Sequence, residues 1–168
     1  PQKLRGTVFP FNYNNYAELE QLDEKHDIGV IKMEVVRNKG PEDNFLHNVR
    51  ELATKRNIVL IFDECTSGFR ETFGGLHKKY GVEPDMAMFG KALGNGYAIT
   101  ATIGRREIME AAQSTFISST FWTERIGPTA ALKTLEVMDR KKSWEKITNT
   151  GLEIRRHWQA LADKHGLE

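Results

Sequence analysis

The sequence predicts an α/β fold, a mostly parallel sheet with flanking helices. Two observations carry that expectation. Short runs rich in β-branched residues, such as IGVIKMEVV (28–36) and IVLIFDE (58–64), alternate with stretches whose apolar residues recur at helical spacing. Strand, helix and strand in succession make βαβ units, whose crossovers align the strands in parallel. IVLIFDE adds a third sign, because it stays apolar for five residues, the pattern of a strand buried on both faces.

The elements follow in order. GTVFPF (6–11) reads as a short strand. NYAELEQLDEKH (15–26) carries Tyr16, Leu19 and Leu22 as a thin helical stripe. After the strand at 28–36, GPEDNFLHNVRELATKRN (40–57) puts Phe45, Leu46, Val49, Leu52 and Ala53 on one helix face. Pro41, Glu42 and Asp43 suit its first turn, and Lys55 and Arg56 suit its last, where they complement the helix dipole. PDMAMFG (84–90) and AITATIG (98–104) read as two more strands, and RREIMEAAQ (105–113) as a helix. Beyond Pro128, Ala131, Leu132, Leu135 and Met138 mark another helix. A final long helix carries Trp144, Ile147, Ile154, Trp158 and Leu161, with Gly151 interrupting the stripe.

Composition narrows the classes of function. The chain has 168 residues, 39% hydrophobic and 28% charged, enough apolar material for a core. A formal net charge of +1 implies no broad attraction to nucleic acid or to a membrane surface. No apolar run is long enough to span a bilayer, and the N-terminus lacks the shape of a signal peptide. Cys65 is the only cysteine, so no disulfide can form within the chain, and a reducing cytoplasm is the expected location. No metal site is read. The chain starts without Met, the pattern of a piece that begins mid-sequence.

In open α/β sheets, ligands bind beyond the carboxyl ends of the strands. Three places there carry polar residues. IVLIFDE ends in Asp63 and Glu64. A carboxylate ending so apolar a strand needs a partner. That partner is either a helix cap or structural ion pair, or a cationic nitrogen of a ligand. IKMEVV sets Glu34 in an apolar run with Lys32 two residues earlier on the same face, which a solvated face or an ion pair explains. MFGKALGNG (88–96) sets Lys91 among small residues just past a strand. It reads alone as a loop lysine. With room from Gly90, Gly94 and Gly96, it also suits a Schiff-base amine. The spacing is not that of a phosphate loop, and no G-x-G-x-x-G follows the first strand, which argues against a Rossmann-type nucleotide site.

Taken together, an acid after one strand and a lysine after a later one match a site for pyridoxal 5'-phosphate (PLP). That cofactor needs a lysine for its aldehyde and an acid on its ring nitrogen. The segment LIFDECTSGFRETFGGLHKKYGVEPDMAMFGKALGNGYAITATIGRREIM (60–109) resembles the core of the class III, ornithine-type aminotransferases, and in particular their glutamate-1-semialdehyde aminomutase-like branch. The resemblance extends over nearly the whole chain. It implies part of the large domain of a fold-type I PLP-dependent transferase over residues 1–140. Residues 141–168 would form a long helix leading toward a small C-terminal domain. The implied function is transfer of an amino group, by an aminotransferase or a 1,2-aminomutase, through a lysine Schiff base.

Residue by residue, the resemblance gives Lys91 the cofactor linkage and the proton shuttle. It gives Asp63 the ring nitrogen. Cys65 would pack on the ring. Glu34 matches an acid near the active site, although Val35 replaces the proline that usually follows it. In SSTFWTERIGPTAAL, Thr123 by an ungapped match, or Thr120 with a small gap, would reach the cofactor phosphate of a neighbouring subunit. Either threonine also suits a helix N-cap or loop hydroxyl. That reach across subunits implies a homodimer. The substrate would be a small amino-acid or amino-sugar-like molecule, with a keto or aldehyde acceptor; Arg37 and Arg70 are candidates for its carboxylate. Family members are much longer than this chain, so the phosphate-binding loop and the ring-stacking aromatic are expected outside it. The alternative is a catalytically incompetent fragment or non-catalytic scaffold of the same fold.

Overall fold

The computed structural model describes residues 5–167. A four-stranded sheet forms from β1 (Val30–Met33), β2 (Val59–Asp63), β3 (Met86–Phe89) and β4 (Ala101–Gly104), in the order β1-β2-β3-β4. The first three strands are parallel, and β4 returns antiparallel along β3. The helices are α1 (Tyr16–Lys25), α2 (Phe45–Arg56), α3 (His77–Tyr80), α4 (Arg106–Met109), α5 (Ile126–Lys141) and α6 (Ser143–His165). The expected α/β class with a mostly parallel sheet is what forms.

Local chemistry accounts for the elements. The Asn15 side chain caps α1 by accepting from the Glu18 N–H at 3.3 Å. The apolar stripe of α2 is the predicted one, and all five of its residues are buried. They pack with Leu19, Ile31, Met33, Leu60 and Phe62 in one core cluster. Burying each such side chain contributes about 1.5–3 kcal/mol before chain entropy opposes it. Ala87 and Phe89 begin a second cluster with Leu93 and Ala131 of α5.

Several local expectations are corrected. Residues 6–11 form no strand. Pro10 lacks the N–H a ladder requires, which fits an irregular path there. Pro41, Glu42 and Asp43 precede α2, because Asn44 sits in the left-handed region (φ 58°) and the helix starts only at Phe45. The 105–113 helix divides into the four-residue α4 and a 3-10 segment, Glu110–Ser114. Pro128 lies inside the first turn of α5, where its missing N–H would have had no helical partner. The expected long final helix forms as α6, which includes Gly151. β2 is not equally buried on both faces: Leu60 and Phe62 are buried, but Val59, Ile61 and Asp63 are only half-buried.

Asp85 ties the layers together from the start of β3. Its carboxylate accepts from the Leu60 N–H at 2.8 Å, from Arg50 of α2 at 2.8 Å and from Arg105 at 2.9 Å. Burial alone would raise its pKa, but these three partners hold it below the ordinary carboxylate value. Replacing Asp85 by Ala strands a buried N–H and a largely buried guanidinium. Asp85→Ala should therefore lower stability by about 2–4 kcal/mol, read from the urea midpoint at neutral pH.

Candidate functional site

Parallel strands end at a common edge, and that edge brings the predicted acid and lysine to neighbouring positions. Asp63 is the last residue of β2, in register with Met88 of β3. Lys91 follows β3 by two residues and opens a 3-10 turn, Lys91–Leu93. It is held at φ 40°, a left-handed conformation that a non-glycine residue seldom adopts. Its Nζ donates to Thr66 Oγ1 at 2.8 Å. Gly94 is required for the turn, because a Cβ there would stand 2.2 Å from the Tyr97 carbonyl oxygen.

The adjacent acids of IFDE part ways, because successive side chains of a strand face opposite sides. Glu64 turns inward and is fully buried. It accepts from the N–H groups of Leu76 (2.9 Å) and His77 (3.0 Å) and from the Ser67 hydroxyl (2.5 Å), and it meets His77 Nδ1 at 2.8 Å. Burial pushes its pKa up, yet these partners together bring it below the ordinary value. Glu64 is thus the structural carboxylate. Asp63 faces the more open side. Its Oδ2 accepts from Lys32 Nζ at 2.8 Å and its Oδ1 from the Cys65 N–H at 3.2 Å. The Lys32 contact is the main reason its pKa is lowered, with the Cys65 N–H assisting against partial burial.

Cys65 is near both candidates. Its thiol pKa is pushed up first by burial and then by Asp63, while Lys91 and Lys32 both pull it down. All three charged groups are therefore close enough to act on one sulfur. A raised pKa suits a packing residue and not a thiolate nucleophile. The sulfur also stands 3.3 Å from where a Cβ on Gly90 would lie, so glycine leaves it that space.

The other candidates sit apart. Glu34 pairs with Arg37 at 3.3 Å, so the Lys32–Glu34 pairing that the sequence allowed does not form. Thr120 and Thr123 lie exposed on the turn before α5, and neither hydrogen-bonds Asp63, Cys65 or Lys91. Glu124, and neither threonine, caps α5 by accepting from the Ile126 and Gly127 N–H groups. The Arg70 Nε donates to the Thr66 carbonyl at 2.6 Å. Thr66 and Lys32 were not assigned to the site from the sequence. Thr66 could have been found from its place three residues past Asp63 in the same loop; Lys32 could have been found from its charge within an apolar strand.

Lys91 opens onto a cleft of about 560 Å³ with Phe69, Arg70, Asn95, Gly96 and Tyr97 in its walls. A larger cleft of about 790 Å³ lies alongside, between α5 and the start of α6. The smaller cleft is lined by Lys91 and the larger is not, which makes the smaller the candidate site; Asp63 lines neither.

The sheet and its helices share the fold of solved transaminases. FumI from Sphingopyxis sp. MTA144, solved in its PLP internal aldimine form, matches with a TM-score of 0.91 over 100% of this chain and 42% of that one, at 24% identity. Residues 15–167 match the family described as aminotransferase class-III, and the chain belongs to that family. It is 36% identical to the 3-aminobutyryl-CoA aminotransferase of Cloacimonas acidaminovorans over 99% of this chain. It is 34% identical to the glutamate-1-semialdehyde 2,1-aminomutase of Natranaerobius thermophilus, again over 99%. The chain spans 42% and 41% of the length of these two relatives. Among the described residues, no helix is long and apolar enough to cross a membrane.

A carboxylate whose folded pKa lies below its unfolded value stabilises the fold at higher pH. That stability is fully present above the unfolded value and is lost as pH falls through the folded one. Glu64 obeys this sign. The melting temperature should therefore drop as pH falls below the ordinary carboxylate range, near about 4. Glu64→Gln should cost about 1–3 kcal/mol at neutral pH and flatten that acid slope, as followed by calorimetry across pH.

Proposed function

We propose that this chain is part of a PLP-dependent enzyme that transfers an amino group, with Lys91 as the amine that carries the cofactor. The observation behind this reading is the placement of Asp63 and Lys91 at the ends of adjacent parallel strands, both near Cys65, in a class-III aminotransferase chain. The donor set fits the cofactor. Asp63 is an anion on the open side of the sheet edge, suited to a cationic ring nitrogen. Cys65 offers a small, uncharged surface for a ring, and Lys91 has a cleft to reach into. When bound, PLP supplies an electron-withdrawing ring that stabilises the negative charge left on a substrate carbon as its proton departs.

The chain's own residues supply the rest. Asp63 keeps the ring nitrogen cationic by remaining an anion. Thr66 orients the Lys91 side chain, and Lys91 Nζ would hold the cofactor and carry protons at the substrate carbon. Glu34 supports the site from the end of β1. Thr123 or Thr120 would hold the cofactor phosphate of a neighbouring subunit, which makes the intact protein a homodimer; a location in the cytoplasm is part of the same proposal. The substrate class is a small amino compound with a keto or aldehyde acceptor. An aminotransferase and an aminomutase match this chain at similar identity and coverage, which supports amino transfer without favouring either outcome. Residues 1–140 then belong to the large domain, and 141–168 lead toward a small one.

In the full-length protein loaded with PLP, borohydride reduction and peptide mapping should mark Lys91. Lys91→Ala should abolish the visible absorbance of lysine-bound cofactor and reduce amino transfer by roughly 10²- to 10⁴-fold, the range for losing a positioned proton-transfer group. A mark on another lysine overturns the assignment. No uptake of PLP by the full-length protein supports the scaffold reading instead.

A further inference from the structure

Lys32 is a charge in an otherwise apolar strand. Its register partner on β2 is Ile61, not an acid. Its Nζ nevertheless reaches two residues further along β2, to Asp63 Oδ2 at 2.8 Å. The nearer acid in sequence, Glu34, is engaged by Arg37 instead. The Cys65 N–H holds the other oxygen, Oδ1, at 3.2 Å. Both oxygens of Asp63 are therefore held, one by a side chain from β1 and one by its own loop. A carboxylate oxygen has two acceptor positions, so each keeps one for an incoming N–H.

We propose that Lys32 is a positioning residue for Asp63, fixing the orientation of its carboxylate and keeping it an anion before a cationic ring nitrogen arrives. The proposal rests on the reading of Asp63 as the partner of the cofactor ring. Two charge-assisted contacts on a short side chain set its plane, which a lone aspartate at a strand end would have to find on binding. The Lys32 ammonium also makes Asp63 a weaker base, so the acid holds its charge to lower pH. The Lys32 side chain is 52% exposed, and a pair this open contributes little to folding, so its loss should leave the fold intact. The other groups around the pair are Glu34 on the β1 side, Cys65 in the loop after β2, and Lys91 beyond β3, which acts on Cys65.

The experiment compares wild type, Lys32→Met and Lys32→Arg in the full-length protein. In the cofactor-free form labelled with carbon-13 aspartate, NMR follows the titration of Asp63, assigned with Asp63→Asn. The midpoint should move upward in Lys32→Met and return toward wild type in Lys32→Arg. In parallel, PLP affinity is measured from neutral pH downward. Affinity should start to fall at higher pH in Lys32→Met than in wild type, and Lys32→Arg should restore the profile. An unmoved Asp63 midpoint overturns the proposal. So does an unchanged acid limb in a Lys32→Met protein that binds PLP normally at neutral pH, and in that case the cofactor reading stands. If wild type takes up no PLP, the cofactor reading falls and the positioning role falls with it, while the Asp63 midpoint still reports the ion pair.

Discussion

Parallel pairing of β2 with β1 on one side and β3 on the other aligns the carboxyl ends of three strands along one edge of the sheet. The rest of the arrangement depends on that alignment. Asp63 closes β2, Lys91 follows β3, and Glu34 follows β1, so residues far apart in sequence come to one edge although none of the three hydrogen-bonds another. A backbone ladder thus assembles the site, and its side chains need only be short enough or long enough to use it. β4 returns antiparallel to β3, and the turn that reverses the chain contains Lys91. The left-handed backbone at Lys91 and the close approach of Gly94 to Tyr97 are local consequences of that reversal.

Three carboxylates at the ends of the β2 and β3 strands have lowered pKa values, and their surroundings give them different work. Asp85 and Glu64 are buried, and each accepts from backbone N–H groups that would otherwise be unsatisfied. Their charge is part of the fold. Asp63 instead faces the half-buried side, where a lysine and a single N–H hold it and acceptor positions remain. A lowered carboxylate pKa is therefore not a sign of function by itself here. The direction in which the strand aims the acid separates the functional candidate from the structural ones.

Much of the fold was legible because helix and strand periods differ. The α2 stripe from Phe45 to Ala53 was read residue for residue, since its burial follows a period of 3.6. Strand ends were less legible: β1 occupies only four residues of the nine-residue apolar run, because pairing with β2 and not hydrophobicity limits it. GTVFPF had strand-like residues but no partner strand. The 3-10 turn at Lys91 and the short α3 have too few residues to show a period at all.

The sequence by itself determined the class of fold and narrowed the candidates to the acids Asp63 and Glu64 and to Lys91, with the family resemblance choosing Asp63. Those properties reside in local patterns: apolar runs, their spacing, and the polar residues that end them. Only the tertiary structure decided the partners. It gave Asp63 to Lys32 and not Lys32 to Glu34, it buried Glu64 under the loop of Leu76 and His77, and it set Thr66 against the Lys91 amine. Strand register and loop path set those pairings, and both depend on residues distant in the chain. That is why a strand lysine readable only as a solvated charge or half of an ion pair emerges as the residue that holds the candidate acid, Asp63.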